Sequence, residues 1–291
     1  MTAKRVLITA ANGNVGRAVV EAARVIGLDV TAATHAATSN ASGASSTPSV
    51  TLDFCDPTTW PSALDGHDRV FLLRPPAIAD VRPTLNAFVD EAARRGIEHI
   101  VFLSVAGAGS NRLLPHRKVE NHLKGSGIGW TFLRPGFFAQ NLETAYRADI
   151  VQDNRLYLPA ERAPLNWIDV RDIGEVAARI LAEPAGHRSA AYTMTGPGAV
   201  AWQEVAAVLS EVTGRPIRYE PASIPGYVAH LHGRGTPIGA IAVQTLLHVL
   251  LRFGQGSRYD PAVEQLLGRP ACSIARYIHG HAEVWASPQQ N

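Results

Sequence analysis

The stretch "VLITAANGNVGRAVV", residues 6–20, limits what this chain can fold into more than any other. Apolar Val6–Ile8 reads as a strand, the small residues through Gly16 as a tight turn, and "RAVVEAARVIG" as a helix. That order presents the free N–H groups of a helix start to a pyrophosphate. The usual fingerprint has three glycines. Here Ala10 stands first, followed by Gly13 and Gly16. Gly13 permits close backbone approach and Gly16 lets the helix pack on the strand. Alanine at position 10 is the least costly replacement, provided its φ stays negative. The competing reading is an ordinary strand-to-helix turn with no ligand.

The pattern repeats downstream. Strands are predicted at Asp29–Thr34, Val50–Asp53, "RVFLLRP" from Arg69, "HIVFLSV" from His99 and "GWTFLRPG". Helical spacing covers Val81–Arg95 and the neighbourhood of Pro115–Lys124. Continuous apolar strands separated by helices signal an α/β chain with a parallel sheet covered on both faces. Right-handed crossovers then give a doubly wound Rossmann fold. The small, polar segment His35–Ser49 stands where a crossover helix would normally lie, so an irregular connection is expected there. Residues 1–145 are read as the nucleotide-binding domain, with 165–185 returning to it, and 146–291 mainly as a smaller substrate lobe. In that lobe "AWQEVAAVLSEVTGRP" is a helix closed by Gly214 and Pro216. "GTPIGAIAVQTLLHVLLRFG" is a long apolar helix, expected to be mostly core with one face lining a pocket.

Composition excludes several classes. The net charge is +2 with both signs scattered, so no basic stripe points to nucleic acid. No run of about 18 apolar residues exists, so neither a membrane span nor a membrane partner is expected. The N-terminus lacks the layout of a signal peptide, and a cytoplasmic protein is expected. Cys55 and Cys272 have no metal-ligand spacing and read as reduced, buried, small apolar residues.

The end of the second strand bears on the type of nucleotide. A carboxylate there would bind the ribose diol of NAD. "VTAATHAATSN" offers Thr34, His35 and further hydroxyls instead, which favours NADP(H), with His35 and Ser39 near the 2′-phosphate and NAD(H) as the alternative. Asp53 could accept from the adenine amino group, or cap the turn before Pro57.

At this point the chain resembles the NmrA-like group of atypical short-chain dehydrogenases/reductases. The resemblance rests on "ITAANGNVG", "LDFCDPTTWPSALDGHDRVFLLRPP", "GIEHIVFLSVAGA", "HRKVENHLKGSGIGWTFLRPGFFAQNL" and "WIDVRDIGEVAARIL", and it extends over nearly the whole chain. The group includes quinone, azo-dye and triphenylmethane-dye reductases as well as nucleotide-sensing regulators that do no chemistry. The resemblance implies that Ala10, Ala11, Asn12, Gly13, Asn14, Val15 and Gly16 hold the pyrophosphate, with His35 meeting the 2′-phosphate. Asp53, Phe54, Leu73, Arg74 and Pro75 would run past the adenosine. Ser104, Val105, Pro135, Gly136 and Phe137 would lie beside the nicotinamide. Arg134 is expected to pair with a carboxylate, and Asp172 to cap the helix that follows it.

The same resemblance raises the question of chemistry. Counting back from Glu120, the positions of the superfamily's catalytic lysine and tyrosine hold His116 and Arg112. A simple ketone needs a proton as hydride arrives, whereas a quinone or conjugated enone delocalises the negative charge. The expected activity is therefore hydride transfer to a small apolar conjugated acceptor. His116 (ordinary pKa ~6.5) is the best remaining acid, oriented by Glu120 one helical turn away, with water as the other proton source. Phe138, Asn141 and Tyr146 would touch the substrate, along with aliphatic walls from Ile238–Leu251. His230 and His232 have no carboxylate or cysteine nearby in sequence, so no metal site is expected. The rival reading is a non-catalytic NADP(H)-sensing regulator. A monomer or homodimer is expected in either case.

Overall fold

The computed structural model describes residues 4–35, 47–254 and 256–286. The chain runs β1 (Arg5–Ile8), α1 (Asn14–Val25), β2 (Asp29–Thr34), β3 (Ser49–Thr51), α2 (Trp60–Leu64), β4 (Arg69–Leu73) and α3 (Ala87–Arg94). It continues with β5 (His99–Leu103), α4 (Pro115–Gly125), β6 (Gly129–Pro135), β7 (Phe137–Phe138), α5 (Asn141–Thr144), α6 (Arg147–Gln152) and β8 (Arg155–Leu158). Next come β9 (Leu165–Ile168), α7 (Val170–Ala182), β10 (Ala190–Met194), β11 (Ala199–Val200) and α8 (Trp202–Thr213). The last elements are β12 (Arg218–Pro221), α9 (Ile224–Gly233), α10 (Ile238–Leu251), α11 (Ala262–Leu267) and α12 (Ile274–Gly280).

Two compact units divide these elements. Unit 1 comprises Met1–Pro135, Val170–Met194 and Ala262–Gly268; unit 2 comprises Gly136–Asp169, Thr195–Pro261 and Arg269–Asn291. The division falls after Pro135, ten residues before the boundary expected from sequence, and the returning segment extends to Met194. In unit 1 seven parallel strands lie in the order β10-β6-β5-β4-β1-β2-β3. This is the doubly wound sheet that the alternation of apolar strands and helices requires. Val70–Leu72, Ile100–Phe102 and Phe132–Leu133 are fully buried, as central strands covered on both faces must be. On one face α7 packs against α1 through Gly174, where a Cβ would come within 2.6 Å of the Ala18 carbonyl oxygen. Arg69 holds the end of α7 by donating to the carbonyls of Leu181 and Ala182, a cation at a helix C-terminus.

Unit 2 is built on two small sheets, β11-β9-β7 and β12-β8, around a core that includes Trp167, Trp202, Tyr227, Tyr277 and Trp285. Several boundaries differ from the sequence expectation. The strand β3 stops at Thr51, before the turn at Asp53. Regular α-helix begins only at Ala87, because a wider π-turn, Arg82–Asn86, precedes it and contains Pro83, which has no N–H to give. Cys55 is exposed and Cys272 half-buried, so the expectation of two buried cysteines is corrected.

Candidate functional site

The glycine turn is held from three sides. Thr9 N–H donates to Phe71 O (3.0 Å), Leu73 N–H donates to Thr9 Oγ1 (2.9 Å), and Ala11 N–H reaches Ala33 O (3.1 Å). These bonds tie the end of β1 to both neighbouring strands and dictate how the chain turns. Ala10 takes φ +51°, in the left-handed region, so the expectation of a negative φ is overturned. Gly13 N–H closes the turn on Ala10 O at 2.9 Å. Gly16 lies directly beneath it, where a Cβ would sit 2.1 Å from Ala10 O; at Gly13 the same distance is 3.3 Å. Gly16 is thus sterically required, and Gly13 much less so. The helix α1 starts with no side-chain cap and no acidic residue in its first turn. Its first N–H groups have no intrahelical acceptor and point where an anion can take them. Asn14 Oδ1 accepts from Arg17 (3.2 Å), and a cavity of about 580 Å³ beside the turn is lined by Ala11, Asn12, Arg17 and Ala32, among others.

At the end of β2 the His35 side chain is exposed, and its Nδ1 lies 3.7 Å from an Asp53 carboxylate oxygen. Ser39 lies outside the described residues. Asp53 braces its own turn: Oδ1 accepts from Cys55 N–H (2.8 Å), and its carbonyl accepts from Trp60 Nε1 (2.8 Å). Phe54 is buried edge-on against Phe88 with ring centroids 5.2 Å apart, which makes it a core residue.

Beyond β4, Arg74 folds back onto its own loop, donating to the carbonyls of Pro75 (3.1 Å), Pro76 and Ile78. Its Nε donates to His116 Nε2 at 3.3 Å. That bond fixes the tautomer, because Nε2 is the acceptor and the remaining ring proton sits on Nδ1. Among the described residues, Nδ1 has no partner. Burial, and then the neighbouring Arg74 charge, push the His116 pKa down to about 4, with Glu120 pulling weakly the other way. The ring is therefore neutral at physiological pH and is not charged to act as the acid expected of it.

Glu120 does not orient the ring either. It is fully buried on α4, accepting from Arg134 Nε (2.9 Å) and Nη2 (2.7 Å) and from Ser104 Oγ (2.7 Å). Burial alone would raise its pKa, but the bonds from Arg134 and Ser104 bring it below the ordinary value. This triad is the carboxylate partner expected for Arg134, and it uses the hydroxyl of Ser104 to lock the end of β5 to α4. Ser104 N–H donates to Leu133 O (2.7 Å) and Ala106 N–H to Pro135 O (3.0 Å), carrying the β5–β6 pairing past the strand ends. Val105 and Pro135 belong to that same edge.

In unit 2, Phe137 and Phe138 form β7 against Trp167 and Ile168 of β9. Gly136 opens the unit. Phe138 and Asn141 are half-buried. Tyr146, expected at the substrate, is instead core: it is 2% exposed and its hydroxyl donates to His248 Nε2. His248 Nδ1 donates to Gln244 O (2.7 Å), which sets this tautomer, and burial pushes the ring down to about 4. The signal for this pair was a lone histidine in an otherwise apolar helix. Asp172 is the third residue of α7 and not its cap; it is buried in the first turn, where a carboxylate suits the helix dipole. His230 has no carboxylate nearby in sequence, but the fold brings one to it. Asp149 lies 2.9 Å from its Nε2, with Asp153 beside it, and Arg234 bridges both carboxylates at 2.9 and 2.8 Å.

Comparison with known proteins agrees with this fold. The NmrA-like family pattern matches residues 2–277. An NAD(P)H azoreductase of Xenophilus azovorans is 33% identical over 241 residues, 81% of this chain and 82% of the relative. Among solved structures, the NADPH-dependent quinone oxidoreductase of Escherichia coli complexed with NADPH superposes with a TM-score of 0.84 at 23% identity, covering 94% of this chain and 99% of that one. NmrA, a negative transcriptional regulator, superposes with a TM-score of 0.74 at 15% identity, covering 97% of each chain. The family pattern along most of the chain, with a shared fold, leads to one conclusion: the chain belongs to the NmrA-like family.

Proposed function

We propose that this chain is an NAD(P)H-dependent oxidoreductase whose acceptor is an apolar conjugated molecule, a quinone, enone or azo compound. The observation that carries this reading is the turn of unit 1, a helix start free of caps and acids behind a strand end that only glycine at position 16 can close. Its residues fit a dinucleotide, because Gly16 leaves the room a Cβ would fill and the first turn offers N–H groups with no internal competitor. Ala10–Gly16 would hold the pyrophosphate, and Leu73 and Pro75 at the end of β4 would flank the adenosine. The absence of a carboxylate at Thr34–His35 favours NADPH over NADH. The nicotinamide supplies a hydride when bound.

The chain's own residues narrow the acceptor. Arg112 and His116 replace the tyrosine and lysine that would protonate a ketone. His116, neutral and held by Arg74, gives up no proton at neutral pH. An acceptor that spreads the arriving negative charge over a conjugated system needs no such donor, and solvent can complete the reaction. Kinship with an NAD(P)H azoreductase supports the same class. Phe138 and Asn141 are the candidates for acceptor contact.

The test is to titrate the purified protein with NADPH and NADH, then follow loss of reduced nucleotide with panels of quinones, enones and azo compounds. NADPH is expected to bind at least about tenfold more tightly than NADH, and oxidation is expected to require acceptor. Tight binding with no turnover against any panel would sink the reductase reading. It would leave the second one, a nucleotide-sensing regulator, which the replaced tyrosine and lysine favour.

A further inference from the structure

The His116 ring is fixed in one tautomer and polarised in one direction. The Nε–H of Arg74, part of a cation, meets the Nε2 lone pair at 3.3 Å, so the ring proton is on Nδ1. Arg74 is tethered in that position, because its Nη1 donates to the carbonyls of Pro75, Pro76 and Ile78. All of these acceptors are uncharged, and among the described residues no carboxylate pairs with the guanidinium. A cationic donor at Nε2 withdraws electron density from the ring and makes the opposite N–H a stronger hydrogen-bond donor without charging it. That strengthened donor is the one the protein leaves unused: Nδ1 is buried and has no acceptor among the described residues. Buried polar groups are normally paired, so a prepared donor with no internal acceptor points to one supplied from outside.

The donor stands where such a sheet receives its ligands. Arg74 directly follows β4, His116 is the second residue of α4, and its ring lies beside Phe102 near the end of β5, with centroids 6.2 Å apart. Doubly wound sheets bind ligands outside the carboxyl ends of their strands. The charged groups acting on the ring are Arg74 and, from its own helix, Glu120, while Phe102 brings no charge. Glu120 is occupied by Arg134 and Ser104, so it is not the missing acceptor. Burial and the Arg74 charge together keep the ring uncharged. A neutral imidazole in that state can still polarise an oxygen through its N–H.

We propose that His116 is a neutral hydrogen-bond donor, through Nδ1–H, to the oxygen of a quinone or enone acceptor, and that Arg74 is the residue that positions and polarises it. The inference rests on the reductase reading and narrows its acceptor to one that gathers negative charge on an oxygen. Two electrons and one hydrogen reach the acceptor as hydride from the reduced nucleotide. The charge settles on the acceptor oxygen, which takes a proton from water, and His116 keeps its own proton throughout. A donor aimed at charge that appears only during the reaction lowers the barrier more than it tightens binding.

The test uses two amides of different reach. An asparagine amide extends as far as Nδ1 and a glutamine amide as far as Nε2, so His116→Asn keeps a donor in place and His116→Gln turns it toward Arg74. With naphthoquinone and saturating NADPH, His116→Gln should lower kcat about 10–100-fold, with KM for the quinone changed less than about threefold. His116→Asn should recover most of that loss. The ring itself gives a readout that needs no turnover, by nitrogen–proton correlation NMR of protein labelled at its 11 histidines. The His116 signals are those missing from whichever of the two variants folds. The wild-type ring should carry its proton on Nδ1 alone, and that signal should move when naphthoquinone is added to protein already holding NADP. Arg74→Met should give a mixture of tautomers together with a fall in kcat. A proton on Nε2 in the wild type overturns the proposal, as does an Nδ1 signal that moves with NADP and no further with the quinone. Wild-type turnover in His116→Gln overturns it too, and leaves the reductase reading standing. A wild-type protein that reduces no acceptor sinks the reductase reading, and this proposal with it.

Discussion

Ala10 and Gly16 share one constraint seen from two ends. Tethers from Thr9 to β4 and from Ala11 to β2 force residue 10 to φ +51°, and the resulting carbonyl presses on Gly16. The left-handed conformation costs an alanine ~1–2 kcal/mol, while a glycine there loses ~0.5–1 kcal/mol more entropy on folding. The first effect is the larger, so Ala10→Gly should stabilise the protein by ~0.5–1 kcal/mol, seen as a higher urea midpoint at unchanged slope. A lower midpoint would mean that the backbone relaxes out of the left-handed region. Glu120 is the opposite kind of residue, a buried charge whose value lies in its partners. Glu120→Gln leaves Arg134 without a counter-charge and should cost ~3 kcal/mol in thermal unfolding, whereas loss under ~1 kcal/mol would show that the guanidinium finds water. The sequence pointed to both positions, Ala10 as the odd member of the fingerprint and Arg134 as a strand-end arginine seeking a carboxylate. It could not supply the sign of φ at Ala10, because that is set by hydrogen bonds to strands far along the chain. Nor could it decide whether Glu120 served His116, four residues away, or Arg134, fourteen away, since both lie within reach of α4.

Elements whose burial follows one regular pattern were the legible ones. The strands β1, β4, β5 and β6 read as continuous apolar runs because both faces are covered, and α1, α4 and α7 showed helical spacing because one side meets the sheet. The helix α10 was misread for the same reason. It was expected to be mostly core, yet Val243, Leu246 and Leu247 are more than half exposed, because composition does not say which face of an apolar helix turns inward. Gln244, Thr245 and His248, at i, i+1 and i+4, share the inward face with buried Ile241 and Leu251. The helix pair α1–α7 carries the clearest prediction at this scale. The helices approach so closely at Gly174 that a Cβ would lie 2.6 Å from Ala18 O and 3.1 Å from Ala18 Cβ. Gly174→Val should force the pair apart and cost ~3 kcal/mol or more by overpacking, with loss of far-UV helical signal at lower temperature. An unchanged melting temperature would mean that α7 can slide without disturbing the sheet.

Buried, uncharged imidazoles lie in both units: His116 and His99 in unit 1, and His248 in unit 2. In unit 1, Thr131 donates to His187 O (2.6 Å), so its hydroxyl oxygen accepts from His99 Nε2–H (2.9 Å). Burial, then the charges of Arg188 and Arg69, push His99 down to about 4. In unit 2, His248 is pushed down to about 4 by burial, with its bond to Gln244 opposing. Both rings are 3% exposed or less. The sign follows from which state binds more protons. Between the ordinary value of ~6.5 and the folded value of about 4 the unfolded chain is protonated and the folded chain is not, so acid draws the protein toward unfolding. Stability is complete above pH ~6.5, falls as the pH drops through the window, and levels off below the folded value, by up to ~3 kcal/mol for each ring. Because each unit holds at least one such ring, tryptophan signals from Trp130 in unit 1 and Trp202 in unit 2 should both weaken over the same range. Urea midpoints measured from pH 8 to pH 4 should be flat at first and then decline, and His99→Gln with His248→Gln should reduce the decline. A midpoint that stays level from pH 7 to pH 4.5 would show that the two rings are protonated without leaving the fold, which the hydrogen bonds of His248 argue against: its Nδ1 already donates to a carbonyl, and a proton on its Nε2 would have to displace the hydroxyl of Tyr146.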